Sequence, residues 1–377
     1  MTDLVALRPP KRGLPRSARI QLSELRRADL RAWAELELGA PGFRGDQIFE
    51  WLHGRRASGF AAMTNLPKAD REALEHKAEL SRLDVDACHT AADGTRKLRL
   101  RGALGAVFES VLIPNPGRGY TQCISSMVGC SLTCRFCATA TLGFERNLAT
   151  WEIVDQVYRA QDLLVREQVE TGAQWPARIT NLVFMGMGEP LHNYGQVKRA
   201  IELLADSKGA GIAKRRITVS SSGLVPAIER FGREELAQDI GLAISLNATT
   251  DAVRNAIMPI NTRWNIATLL QAIRDLPPTR RRRVTFEYVL IAGVNDTDDD
   301  ATRLVKLVAE FDCLVNVIPF NPHAGTDLRR PSPERIARFV ARCRAGGLEV
   351  HVRTPRGDDI GAACGQLALE ARSILSG

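Results

Sequence analysis

The chain has 377 residues, 45% of them apolar and 25% charged, a balance that excludes a disordered or membrane-embedded protein and predicts one to three packed domains. A formal charge of +8 favours an anionic partner, with nucleic acid the natural candidate. No run of about 18 apolar residues occurs, and Met1 to Arg19 lacks the apolar stretch of a secretory signal, so a cytoplasmic location without membrane contact is expected. Eight cysteines in such a chain point to metal or redox chemistry before a disulfide framework.

Residues 1–19, basic and broken by Pro9, Pro10 and Pro15, read as a mobile arm. From residue 20 to about 85, apolar side chains fall three and four apart, as in Leu22 to Leu38 and Asp46 to Leu52, which predicts a small helical accessory domain. Residues 86–115 read as a strand-containing linker, with a turn at Asp93-Gly94, alternation over Lys97 to Arg101 and a second strand over Val107 to Ile113.

Beyond Pro116 the pattern changes to short apolar runs separated by helical segments. Strands are expected at Ile179 to Phe184, Ile217 to Val219, Leu242 to Leu246, Val284 to Leu290 and Val315 to Ile318. Helices are expected over 151–168, 195–206, 265–275, 298–311 and 333–345, and no internal repeat is visible. This alternation predicts an α/β fold, a parallel sheet with crossover helices in an open or closed barrel, over residues 116–355, with a C-terminal segment over 356–377. Working residues of such sheets gather at the carboxyl ends of the strands.

Cys130-Ser131-Leu132-Thr133-Cys134-Arg135-Phe136-Cys137 places three thiols in one short loop. Three thiolates can hold three irons of a four-iron cluster and leave the fourth iron open to an external ligand. A structural zinc site closes with four protein ligands, often as two CxxC pairs, and no second pair is present. Met185-Gly186-Met187-Gly188-Glu189-Pro190 follows a predicted strand, where glycines admit close backbone approach and Glu189 can accept from an amino group. Ser220, and Ser245-Leu246-Asn247, add polar groups at the ends of two further strands.

The CxxxCxxC loop resembles the radical S-adenosylmethionine superfamily. That resemblance implies a partial (β/α)6 barrel with a 4Fe-4S cluster on Cys130, Cys134 and Cys137, and S-adenosylmethionine on the open iron as the source of a deoxyadenosyl radical. Val219 to Gly223, Met258 to Asn261 and Cys364 to Leu367 further resemble the adenosine C2 RNA methyltransferases, as do Phe43 to Trp51 and Met63 to Pro67. The likeness spans roughly residues 20 to 370. It implies an RNA substrate, 23S rRNA or tRNA or both, RNA recognition by the helical accessory domain and a reductase as electron donor.

The same resemblance assigns the remaining roles. Cys364 matches the cysteine that accepts a methyl group, and Cys123 the one that resolves the RNA adduct and leaves a transient Cys123–Cys364 disulfide. Glu109 matches a proton acceptor. Gly188, Glu189, Ser220, Ser245, Leu246, Asn247 and Asn321 match cofactor contacts, although Asn247 stands where relatives commonly have His. Cys88, Cys313 and Cys343 match nothing and are expected to be buried or inert. The Arg280 to Arg283 run is a candidate phosphate contact. Two alternatives are adenine C8 methylation by a protein of the same fold, and a non-catalytic, zinc-stabilised RNA-binding protein.

Overall fold

The computed structural model describes residues 11, 19–172, 176–277 and 282–367. Of the expected basic arm only Lys11 and Arg19 fall within it, and of the arginine run only Arg282 and Arg283.

Strand β1 (Ile20–Gln21) precedes helices α1 (Arg27–Leu38), α2 (Phe43–Phe49) and α3 (Lys68–Lys77), and pairs in parallel with β2 (Ala78–Glu79). A π-helical turn, Glu50–Gly54, extends α2. Leu30, Ile48, Leu52, Phe60 and Leu74 are buried, as their helical spacing predicts. Strands β3 (Asp84–Thr90), β4 (Arg96–Arg101) and β5 (Val107–Asn115) form an antiparallel meander, and β6 (Gly119–Cys123) returns antiparallel to β5. A small hairpin of β7 (Met127–Gly129) and β8 (Phe144–Asn147) follows, then α4 (Thr150–Thr171).

Strand and helix then alternate: β9 (Ile179–Phe184), α5 (Tyr194–Ala205), β10 (Ile217–Ser221), α6 (Val225–Gly232), β11 (Gly241–Ser245), α7 (Asp251–Ile257) and α8 (Ile266–Arg274). The sequence continues through β12 (Val284–Leu290), α9 (Asp298–Val308), β13 (Cys313–Pro319), α10 (Pro333–Ala345) and β14 (Val350–Val352). Local chemistry sets these boundaries: Thr297 caps α9 by accepting from Asp300 N, and Ser332 caps α10 ahead of Pro333.

One ten-stranded sheet runs in the order β14-β13-β12-β11-β10-β9-β6-β5-β4-β3. Pairing is parallel from β6 through β14, giving six strand-helix units and a closing strand, the partial barrel expected. The short linking sheet is continuous with the barrel sheet, because β5 pairs with β6 over Val111 to Asn115.

The helical region packs into the barrel rather than hanging from it. Buried His53 shares a 2.8 Å hydrogen bond with the hydroxyl of Tyr158 on α4. Arg82 Nε donates to Asp155 Oδ1 at 2.7 Å, and Asp155 Oδ2 accepts from Leu83 N at 2.7 Å. One hydrophobic cluster takes in Leu22, Leu52, Val154, Val157 and Leu182. At the first turn of α4, the wholly buried Arg146–Glu152 pair, 2.6 Å apart, also binds Ala103 O and Ala149 N, so β8 is pinned to the helix.

Candidate active site

Cys130, Cys134 and Cys137 occupy the loop between β7 and β8 and line a cavity of about 1200 Å³ inside the partial barrel. Backbone bonds fix the loop: Cys130 N donates to Gly143 O at 2.9 Å and Arg135 N to Ile257 O at 2.9 Å. Burial raises all three thiols above their ordinary range, Cys134 to about 12, and mutual repulsion adds to the effect on Cys130 and Cys134. Such thiols ionise when a metal supplies compensating charge. Among the described residues no three His, Cys, Asp or Glu side chains converge on a single metal ion. Three thiols in one loop around one cavity suit three corners of a multi-iron cluster.

The strand ends above this loop are tightly wired. Gly188 has φ +100°, and a Cβ there would lie 2.5 Å from Met127 Cβ, so only glycine fits this turn. Glu189 is buried, with Oε1 accepting from Leu191 N at 3.1 Å and Oε2 from Ser222 N at 2.8 Å. Burial pushes its carboxyl up to about 7 against those hydrogen bonds. Gly188, Ser220, Ser245, Asn247 and Asn321 line the cavity, whereas Leu246 is fully buried.

Ser220 Oγ donates to Phe184 O at 2.6 Å. Asn247 adopts φ +55°, accepts from Val289 N at 2.8 Å and donates to Met258 Sδ, so its amide is engaged by the protein itself. Asparagine tolerates that left-handed conformation better than most residues. Buried Arg254 donates to Ser222 O, Ser245 O and Leu246 O and to Asn261 Oδ1, each at 2.9 Å. This explains Met258 to Asn261 physically: Asn261 orients the guanidinium that clamps two strand ends.

The chain after β14 crosses between the two edges of the sheet. Gly357 N donates to Asp93 Oδ2 at 3.3 Å and Ala92 N to Asp359 Oδ2 at 3.0 Å, which joins it to the β3–β4 turn. Asn321 Nδ2 then donates to Cys364 O at 3.0 Å, and Ala138 N to Gly365 O at 2.6 Å, so Cys364 is laid against the cysteine loop. Cys123, at the end of β6, lines the same cavity. Burial raises both thiols to about 12; Cys364 charge adds to the rise at Cys123, and Arg353 opposes it at both. Cys364 is nevertheless open to solvent through the cavity.

Glu109 is buried on β5, with Lys97 Nζ of β4 at 3.7 Å. Lys97 in turn approaches the Cys364-bearing segment at Gly361, where a Cβ would lie 3.5 Å from Nζ. Sequence reasoning passed over Lys97, Arg353 and Glu287. Glu287 pairs in register with Ser245 and Asn316, accepts from Asn316 Nδ2 at 2.8 Å, and leaves Oε2 without a partner in the cavity wall. A lone carboxylate within the apolar run Val284 to Leu290 was the available signal. Cys313 and Cys343 are buried as expected; Cys88 is exposed on β3.

A partial barrel whose strand ends hold a CxxxCxxC loop beside a glycine-glutamate turn defines a radical S-adenosylmethionine enzyme. The sequence profile of the radical SAM superfamily matches residues 124–308, and that of the ribosomal RNA large subunit methyltransferase N-terminal domain matches residues 20–80. A dual-specificity RNA methyltransferase RlmN of Anaeromyxobacter sp. is 47% identical over 88% of this chain and 86% of its own. RlmN 2 of Myxococcus xanthus is 44% identical over 96% and 94%. The crystal structure of a radical SAM methyltransferase from Sphaerobacter thermophilus matches with a TM-score of 0.84 at 42% identity, covering 92% of this chain and 99% of that one. The chain belongs to the RlmN family of radical SAM RNA methyltransferases. Its cofactors are a 4Fe-4S cluster and S-adenosylmethionine. No described helix is long and apolar enough to cross a membrane.

Proposed function

We propose that this protein methylates carbon 2 of adenine in both 23S rRNA and tRNA, with the transferred carbon carried on Cys364. The observation that carries the reading is the convergence of Cys123 and Cys364, far apart in the sequence, on the cavity lined by the cysteine triplet. Adenine C2 is electron-poor and has no acidic proton, so a simple displacement lacks a nucleophile. The bound cluster and S-adenosylmethionine supply one-electron chemistry at a carbon that polar chemistry does not reach.

The protein's own residues do the rest. Cys130, Cys134 and Cys137 would hold the cluster, with Gly188, Glu189, Ser220 and Ser245 at the rim where S-adenosylmethionine binds. Leu246, Asn247 and Asn321 support that rim, and Asn321 also fixes the backbone of Cys364. Cys364 carries the methyl group as a thioether, and Glu109, charge-balanced by Lys97, takes the proton that C2 loses. The Cys123 sulfur bonds to the Cys364 sulfur as the Cys364 S–C bond breaks; the proton that Cys123 gives up is balanced by one taken up at the freed carbon, which becomes the methyl group of the base, and a disulfide is left. An external reductase restores the two thiols and a low-potential donor reduces the cluster, as expected of a cytoplasmic enzyme.

The C8 alternative is not favoured, because RlmN proteins match at 44–47% identity over most of the chain and the RlmN-type N-terminal domain is present. Mass spectrometry of nucleosides from cells with and without the gene tests the reading. Loss of 2-methyladenosine from both 23S rRNA and tRNA is expected. Unchanged 2-methyladenosine, or loss of an 8-methyl product, contradicts it.

A further inference from the structure

The cavity runs between the two ends of the barrel strands. The cysteines, Gly188 and Cys364 gather where the barrel strands finish. Where the strands begin, Arg118 in the turn before β6, Arg215 and Arg216 just before β10, and Arg282 just before β12 line the same cavity. All four are exposed. Arg216 Nη1 donates to Asn181 Oδ1 at 3.1 Å, and none of the four has a carboxylate within ion-pair reach among the described residues. By contrast, exposed Arg338 pairs with Asp298, and Arg283, next to Arg282, with Glu349.

Four like charges brought together from three places in the chain, none with a carboxylate in ion-pair reach among the described residues, make a site for an anion. Guanidinium groups suit phosphate, whose oxygens accept two parallel N–H bonds. We propose that this mouth grips the phosphates of the nucleotides flanking the target adenine, so that RNA enters the barrel from the ends where its strands begin. The proposal rests on the RNA methyltransferase reading above.

The length of the barrel bears on which phosphates are held. From Arg216 to Ser222 is six residues, about 20 Å of strand. That exceeds one nucleotide, so the gripped phosphates belong to neighbours of the base that reaches Cys364. Such a mouth requires the target in an unpaired segment, which is how proteins read RNA bases in general. An acidic electron-donor protein is the competing occupant of a basic surface. It would dock at the wrong end, since electrons must reach the cysteine loop.

The test compares Arg215→Ala/Arg282→Ala with a charge-matched control, Arg233→Ala/Lys306→Ala, on the outer helical layer. Binding of a stem-loop RNA with an adenine in its loop is followed by fluorescence anisotropy over a salt series. S-adenosylmethionine binding, by equilibrium dialysis of the cluster-loaded protein, reports that the site is intact. We expect the mouth variant to bind RNA about tenfold more weakly at low salt, with a salt slope lower by about 1.4 for two lost single-strand phosphate contacts. The control should stay within about twofold, and both should bind S-adenosylmethionine as the wild type does.

Wild-type affinity and slope in the mouth variant, or an equal loss in the control, overturns the proposal while the RNA reading stands. Normal RNA binding with slowed cluster reduction by a donor protein overturns it in favour of the competing occupant. If the wild-type protein binds no RNA, the parent reading fails first.

Discussion

Lys97 and Glu109 form a buried ion pair, 3% and 2% exposed, and removing one partner of such a pair costs far more than its net worth. Lys97→Met is expected to destabilise the protein by about 3 kcal/mol, and Lys97→Met/Glu109→Gln to recover most of that. Urea unfolding of the two single variants and the double variant measures the coupling, and purely additive effects would show that the pair does not interact. Gly188→Ala meets a different obstacle, a positive φ together with Met127 2.5 Å from the new Cβ. It should lower S-adenosylmethionine affinity at least tenfold, read by equilibrium dialysis, while the cluster absorption persists because no thiol is touched. Unaltered affinity would mean that the turn does not approach the ligand. Glu189 stood out in the sequence through the glycine-rich turn around it after a strand, and Cys364 through family resemblance alone. Glu287 and Lys97 did not, because a single charge in a strand acquires meaning only when folding buries it.

At the scale of elements, α4 joins the helical region to the barrel. Burial lowers the His53 imidazole to about 3 and raises the Asp155 carboxyl to about 6. These act in opposite directions with pH. His53 contributes stability that is complete above about pH 6.5 and is lost as pH falls toward 3, because only the unfolded chain takes up the proton in that range. Asp155 contributes stability that is complete below about pH 3.8 and is lost as pH rises through 6. Between pH 6.5 and 5 the two nearly cancel. His53→Gln should therefore gain about 1 kcal/mol on acidification over that range, and Asp155→Asn should lose about 2 kcal/mol. Denaturant unfolding at both pH values checks the signs; parallel pH profiles for the variants and wild type would contradict them.

The long strands of this layer were read correctly from their apolar runs, β9 and β12 with the same limits as the structure. Strand β3 escaped because six of its seven residues are exposed and give no alternation, and β14 because three residues are too few for a pattern. The closure of the barrel by residues 356 to 364 was invisible for another reason. It depends on Asp93 accepting from Gly357 N and Asp359 from Ala92 N across more than 260 residues of sequence, a consequence of sheet order and not of local pattern.

For the whole molecule, the central claim is that two cysteines outside the cluster loop share one cavity but perform unlike tasks. Cys364 lies on a segment held by Asn321 and the cysteine loop, while Cys123 ends a core strand, so substitution of either leaves the triplet and the barrel in place. The most direct measurement incubates each Cys→Ala variant, cluster-loaded, with substrate RNA and S-adenosylmethionine under anaerobic reducing conditions, and resolves the products on denaturing gels. Cys123→Ala should accumulate protein covalently joined to RNA, because the carbon has been transferred and the thiol that releases it is gone. Cys364→Ala should give neither crosslink nor methylated RNA. Normal turnover by Cys123→Ala, or the same outcome for both variants, would contradict the methyl-carrier account even with the cluster and cofactor in place.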